Sequence, residues 1–347
     1  MNKQANNAWN CFTTVSFKGL VSGGLWVIVN VNNQSNSGFQ MHIDDYQLSQ
    51  GDQIRIAPEL GCNLFSWTSQ GHDLLYFPDG FPEHAERMFD GGNPLLFPSV
   101  GRTWNRECDR PVPDEYSIYG HDKSYTMPLH GFLYMGHWNK EEEDISENEV
   151  SVSYMFTPDD GVVENHYPFD VSFQVTYTMC AGSINTKVCI TNNGSESAPV
   201  AYGLHPYFRI MTMDEVELTI PCRHYLMLDP ELLVPTGKSL KAESSLLISH
   251  EQEYDIVYSD LYAPRTTIRY PIGNYSVHVD FQEGFENIVV YCGVDSDFVC
   301  VEPWTRGIGG YEFLKKKKWQ KKGPLNILEP GDVRIFDVTY SVEVDKV

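Results

Sequence analysis

Glu149-Val150-Ser151-Val152-Ser153-Tyr154-Met155-Phe156 and Phe169-Asp170-Val171-Ser172-Phe173-Gln174-Val175-Thr176-Tyr177 both alternate apolar and polar side chains with period two. That period belongs to a strand with one face in a core and one in water. Between them Thr157-Pro158-Asp159-Asp160-Gly161 has turn chemistry, which returns at Thr191-Asn192-Asn193-Gly194 and Gly293-Val294-Asp295-Ser296-Asp297. Hairpin following hairpin implies antiparallel pairing.

Outward from these runs the same grammar continues. No stretch of a dozen residues keeps a helical period, and 20 prolines and 27 glycines interrupt most attempts at one. Short strands, regular turns and 13% aromatic residues predict an all-β chain built as a large antiparallel β-sandwich. A length of 347 residues allows one domain or two, but no linker divides the strand pattern. We expect an N-terminal extension over residues 1–40 and a single domain over 41–347.

Charge limits the partners. Lys+Arg 25 against Asp+Glu 47 leaves −22, which opposes attraction to nucleic acid or to an anionic membrane surface. The mildly apolar stretch from Gly19 to Val31 is too short for a membrane span, and asparagines interrupt it as a signal peptide. The basic run Lys315 to Lys318 reads as a loop between strands, and Glu141-Glu142-Glu143-Asp144 as a hairpin tip. The expected partner is a small molecule, with no nucleic acid and no membrane. Eight cysteines lie outside any CxxC or metal-ligand spacing, several within apolar strand-like runs. They predict reduced thiols, a cytoplasmic setting and no metal site.

Three short signals stand out. Glu302 follows Phe298-Val299-Cys300-Val301 and precedes Pro303, so it belongs at a strand end on the face of Phe298 and Cys300. Desolvation there would raise its pKa. A strand-end glutamate bonded to nearby backbone is the alternative. Pro128-Leu129-His130-Gly131-Phe132 and Gly203-Leu204-His205-Pro206-Tyr207-Phe208 add two histidines. One carboxylate and two imidazoles form a candidate acid/base set.

Gly101-Arg102 with Asn105-Arg106, PLHGF with Trp138, GLHPYF, Pro235-Thr236-Gly237, VEPWT and Leu328-Glu329-Pro330-Gly331-Asp332 follow one another in that order. In this ordered set the chain resembles the aldose 1-epimerase (galactose mutarotase-like) family from about Asp45 to Tyr340. The resemblance implies a β-supersandwich enzyme without cofactor that interconverts the α and β anomers of free aldoses. It also implies Glu302 as base and His205 as acid, with His130, Asn105 and Arg106 holding the sugar. Asp255 is the candidate for a further hydroxyl-binding aspartate, with Asp260 and Asp229 as competitors.

Some relatives act on hexose 6-phosphates and carry an arginine where this chain has Tyr134. A clamp of Arg102, Arg110 and Arg209 would restore phosphate recognition. Hexose-6-phosphate 1-epimerase is therefore the alternative enzyme, and a noncatalytic sugar-binding or regulatory protein on the same scaffold is the alternative of another class.

Overall fold

Two large antiparallel sheets carry the chain in a computed structural model. It describes residues 42–79, 90–105, 111–210 and 216–345, together with the paired two-residue strands Leu20–Val21 and Gly24–Leu25. Otherwise the expected N-terminal extension lies outside the described residues, as do Arg106 and Arg110.

The first sheet has nine strands, in the spatial order Asn139–Ile145, Glu149–Phe156, Val171–Cys180, Ser183–Asn192, Val333–Val344, Tyr275–Phe281, Arg265–Tyr270, Val216–Thr219 and Ser245–Ile248. The second has eight: Pro235–Lys241, His224–Leu228, Tyr254–Ser259, Phe285–Cys292, Phe298–Thr305, Gly203–Leu204 and Leu95–Leu96, with Tyr207–Arg209 also paired to Phe298–Thr305. A smaller sheet of Asp44–Gln47, Gln53–Ala57, Asn63–Ser69 and His72–Asp73 flanks them. This is the all-β antiparallel architecture that the alternation predicts.

Alternation also sets the core. Val171, Phe173, Val175, Tyr177 and Met179 are buried along one strand face, while Ser172, Gln174, Thr176 and Thr178 are more exposed on the other. Each large inward side chain contributes roughly 1.5–3 kcal/mol by leaving water. One continuous apolar cluster joins these residues to Val299, Val301, Ile288 and Val290 of the second sheet. The site strand is thus backed by the main core.

The acidic run is not the hairpin tip that the sequence suggests. Glu141 to Asp144 lie within the edge strand Asn139–Ile145, and the connection to the next strand falls at residues 146–148. Carboxylates along an edge discourage pairing with another chain. The lysine run lies as expected in a connection between strands: Lys316 to Lys318 are exposed turn residues between two short helical elements, Gly310–Lys315 and Trp319–Lys322, which buried Tyr311, Leu314 and Trp319 anchor. The longest helical elements among the described residues have six residues, and no helix there is long and apolar enough to cross a membrane.

A buried ionic cluster fixes the small sheet to the large one. Asp44, 1% exposed, accepts from Lys140 Nζ at 2.5 Å and from Tyr154 Oη at 2.8 Å, and His42 Nε2 lies 3.0 Å away. Burial alone would raise the Asp44 pKa, but the hydrogen bonds from His42, Lys140 and Tyr154 outweigh it and hold it below the usual range. The bond to Asp44 raises the His42 pKa in turn.

Two predictions follow from this packing. Asp44 stabilises the fold above its unfolded pKa and loses that contribution as pH falls through its folded value. The melting-temperature gap between native protein and Asp44→Asn should therefore narrow below about pH 4, whereas a gap independent of pH would contradict the assignment. A Cβ on Gly131, at φ +80°, would stand 2.0 Å from the Phe97 carbonyl oxygen. Gly131→Ala should cost about 2–4 kcal/mol in denaturant unfolding, and a change below about 0.5 kcal/mol would show that the turn can relax.

Candidate active site

Two strand segments bracket the site through their register. Gly203 pairs with Trp304 and Tyr207 pairs with Cys300, so counting inward along both strands puts His205 opposite Glu302. Residues directly opposite one another share a face of the sheet. His205 Nε2 lies 3.4 Å from Glu302 Oε1, and the two residues are 6% and 1% exposed. The sequence motifs, 97 positions apart, thus converge on one spot of the sheet face.

Glu302 sits in mid-strand rather than at a strand end, because Phe298–Thr305 continues through Pro303. The prolines account for how the ladder tolerates this. Thr305 N–H donates to the Tyr202 carbonyl at 2.9 Å, so by alternation residue 303 would direct a donor at the same neighbour, and proline has none. Pro206 on the facing segment is likewise donorless. Pairing lapses between Gly203–Leu204 and Tyr207–Arg209, and the His205 N–H turns instead to the Pro94 carbonyl at 3.1 Å. The gap in the ladder is where His205 faces Glu302.

Trp304 forms a wall beside the pair. A Cβ on Gly203 would meet the indole at 2.5 Å, so glycine lets the ring lie against the strand. His205 stacks on Tyr207 with ring centroids 4.7 Å apart, and the edge of His130 meets His205 at 5.3 Å and Trp304 at 5.5 Å. Trp138 is different: it is 1% exposed and stacks on Phe156, inside the core.

His130 arrives from the PLHGF turn in a left-handed conformation, φ +64°. Its N–H donates to the Gly101 carbonyl at 3.1 Å, and the Gly101 N–H donates to its Nδ1 at 3.2 Å. A neutral imidazole accepting at Nδ1 carries its proton on Nε2, so His130 has an Nε2–H to donate.

Burial dominates the electrostatics. It lowers the His205 pKa to about 3 and places that of His130 well below the ordinary value, the latter further lowered by charge on His205 and Arg102. It raises the Glu302 carboxyl well above the usual range, with the Asp255 charge adding to the rise and the Trp304 indole opposing it. Glu302 Oε2 and His205 Nδ1 are buried without a hydrogen bond of good geometry among the described residues, and Trp304 Nε1 is near enough to favour the Glu302 carboxylate but not well aligned with it. Buried polar atoms in that condition suit a ligand rich in hydroxyl groups.

Asp255 lies on the same face, farther out. It pairs with Tyr291, which pairs with Cys300, two strands from the Glu302 strand at about 4.8 Å per step. Its side chain is exposed at the rim; partial desolvation and Glu253 raise its pKa, while Arg102 opposes them. Asp260 is instead engaged by Arg223 and His224.

Arg102 is the residue that sequence reasoning left to a phosphate clamp. Its charge acts on both His130 and Asp255, lowering the pKa of each. The one sequence signal was its place after Gly101, and nothing there shows that Gly101 hydrogen-bonds His130. Asn105 Nδ2 donates to Glu115 Oε1 at 2.7 Å. Arg209 pairs with Asp73 at 3.1 Å, and Tyr134 is buried.

Comparisons with known proteins agree with this architecture. The Slr1438 protein of Synechocystis sp. PCC 6803 superposes with TM-score 0.75 at 24% identity, covering 90% of this chain and 99% of that one. A galactose mutarotase-like protein of Clostridium acetobutylicum gives 0.71 at 16% identity, covering 88% and 99%. Galactose 1-epimerase of Lactobacillus acidophilus NCFM gives 0.69 at 14%, covering 91% and 98%. These likenesses show the fold. Among curated sequences, the uncharacterized protein YihR of Escherichia coli (strain K12) is 26% identical over 186 residues, 52% of this chain. The match spans 56% of that relative's length. The model of the family described as aldose 1-epimerase matches residues 44–341. On that match, which takes in every described residue of the site, the chain belongs to the aldose 1-epimerase family.

Proposed function

We propose that the protein is a mutarotase that interconverts the α and β anomers of a free hexose by general acid/base ring opening. The observation that carries this reading is the buried His205–Glu302 pair, 3.4 Å apart, with an unpartnered polar atom on each residue. Ring opening needs a base at the anomeric hydroxyl and an acid at the neighbouring ring oxygen. Two groups this close can straddle those two oxygens.

The pair works with one shared proton. In the dry free site that proton belongs on Glu302, since burial disfavours both the carboxylate and the imidazolium. Hydroxyl groups of a bound sugar supply the dipoles that make the carboxylate–imidazolium form accessible. Glu302 then takes the proton of the anomeric hydroxyl while His205 Nε2–H gives one to the ring oxygen. The C1–O5 bond breaks and the C1 carbonyl forms; rotation about C1–C2 and reversal of both transfers close the other anomer. No net proton is gained or lost.

The remaining residues hold the sugar. His130 offers its Nε2–H, Arg102 a guanidinium whose charge reaches both His130 and Asp255, and Asp255 a carboxylate at the rim. Asn105 and Arg106 keep the sugar-holding roles that the family resemblance implies. A free sugar suits the site better than a phosphorylated one, because Arg209 is matched by Asp73 and buried Tyr134 replaces an arginine. The six described cysteines are free, which fits a cytoplasmic setting.

Anomer exchange of glucose and galactose, followed by polarimetry or NMR, tests the assignment. Glu302→Gln and His205→Asn should each lower kcat by about 10²- to 10⁴-fold while sugar binding largely survives. Unchanged exchange in Glu302→Gln would reject the base. Asp255→Asn and Arg102→Met should act mainly on KM, raising it about tenfold or more, as expected for a lost charge-assisted hydrogen bond. A loss confined to kcat would place either residue in the proton transfer instead.

A further inference from the structure

Cys300 is a fully buried free thiol beside the acid/base pair, and ring opening has no use for it. It precedes Glu302 by two residues on one strand face and pairs with Tyr207 across the ladder. The ligand-type atoms of His205, Cys300 and Glu302 all lie within 4.8 Å of one another. One imidazole nitrogen, one thiol sulfur and one carboxylate oxygen form a donor set that zinc favours.

The distances suit such an ion. Zinc–ligand bonds of about 2.0–2.3 Å in tetrahedral geometry set ligand–ligand edges of roughly 3.3–3.6 Å. The 3.4 Å between His205 Nε2 and Glu302 Oε1 already matches one edge. The others, none longer than 4.8 Å, need at most about 1.5 Å of closure, within reach of side-chain torsions. The orphaned Glu302 Oε2 is a second, independent sign that this corner accommodates a ligand. Three protein donors leave one position of a tetrahedral ion for water or another ligand.

We propose that His205, Cys300 and Glu302 form an inhibitory site for a thiophilic divalent cation, with Zn2+ as its chemical type, occupied in competition with the sugar. The cation takes the electron pairs that proton transfer requires and displaces two protons to solvent, the Cys300 thiol proton and the one that Glu302 holds in the free site. Hard cations such as Mg2+ and Ca2+ are excluded by the donor set. The inhibitory consequence rests on the acid/base reading of the same pair, but the binding does not. Sequence spacing concealed the site because 95 positions separate His205 from Cys300.

Calorimetric titration of the chelator-treated full chain with ZnCl2 tests the binding directly. One Zn2+ should bind per chain, at least tenfold more weakly in Cys300→Ser and in Cys300→Ala, with matching melting curves confirming that the variants are folded. In the native protein, saturating galactose should weaken Zn2+ binding, and Co2+ should develop a thiolate charge-transfer band. Zn2+ uptake unaffected by both cysteine substitutions and by sugar, or no uptake at all, overturns the site. Should the variants fail to fold, the Co2+ band in the native protein decides, and its absence overturns the site. Anomer exchange in chelator and in excess Zn2+ is a separate readout. A chain that binds Zn2+ as described but exchanges no anomers refutes the mutarotase reading and leaves the metal site standing.

Discussion

The pairing of residues 203–209 with Phe298–Thr305 is the constraint on which the site depends. Its register fixes which side chains share a face, and a slip of one residue would turn Glu302 toward the core side occupied by Val299 and Val301. The main core holds that register from behind through Val299, Val301, Ile288 and Val290. The two prolines then remove ladder donors at the one place where His205 must face Glu302. Stability and chemistry meet in a single strand, buried along nearly its whole length.

Around this strand the site is graded from dry to wet. Glu302, His205 and His130 are buried, whereas Asp255 stands at the rim with Arg102 acting on both zones. In the proposed reaction this gradient separates two tasks. Proton transfer benefits from desolvated groups whose pKa values are displaced toward each other, and hydroxyl recognition uses charged groups that keep contact with water. On the same reading, the Glu302 Oε2 and His205 Nδ1 atoms, which lack a well-aligned partner among the described residues, are the ones a polyhydroxylated ring engages.

Much of this was legible in the chain because it depends on local physics. Period-two alternation in 149–156 and 169–177 reports a half-buried strand directly, and the ordered motifs brought Glu302, His205 and His130 forward as candidates. Other features depend on contacts between distant segments and leave no local trace. The bond from the Gly101 N–H that sets the His130 tautomer, the charge of Arg102 acting on both His130 and Asp255, and the approach of Cys300 to His205 belong to this class. The strand end expected at Glu302 failed for a related reason: proline is a breaker only where its missing donor has a partner to lose, and here the neighbouring ladder is interrupted.

The central claim is that Glu302 and His205 act as one unit sharing a proton. A double-mutant cycle on anomer exchange tests it most directly, comparing Glu302→Gln, His205→Asn and the double variant at saturating sugar. Interdependent groups predict that the double variant exchanges no more slowly than the worse single variant. Losses that multiply across the two substitutions would show independent roles and contradict the account.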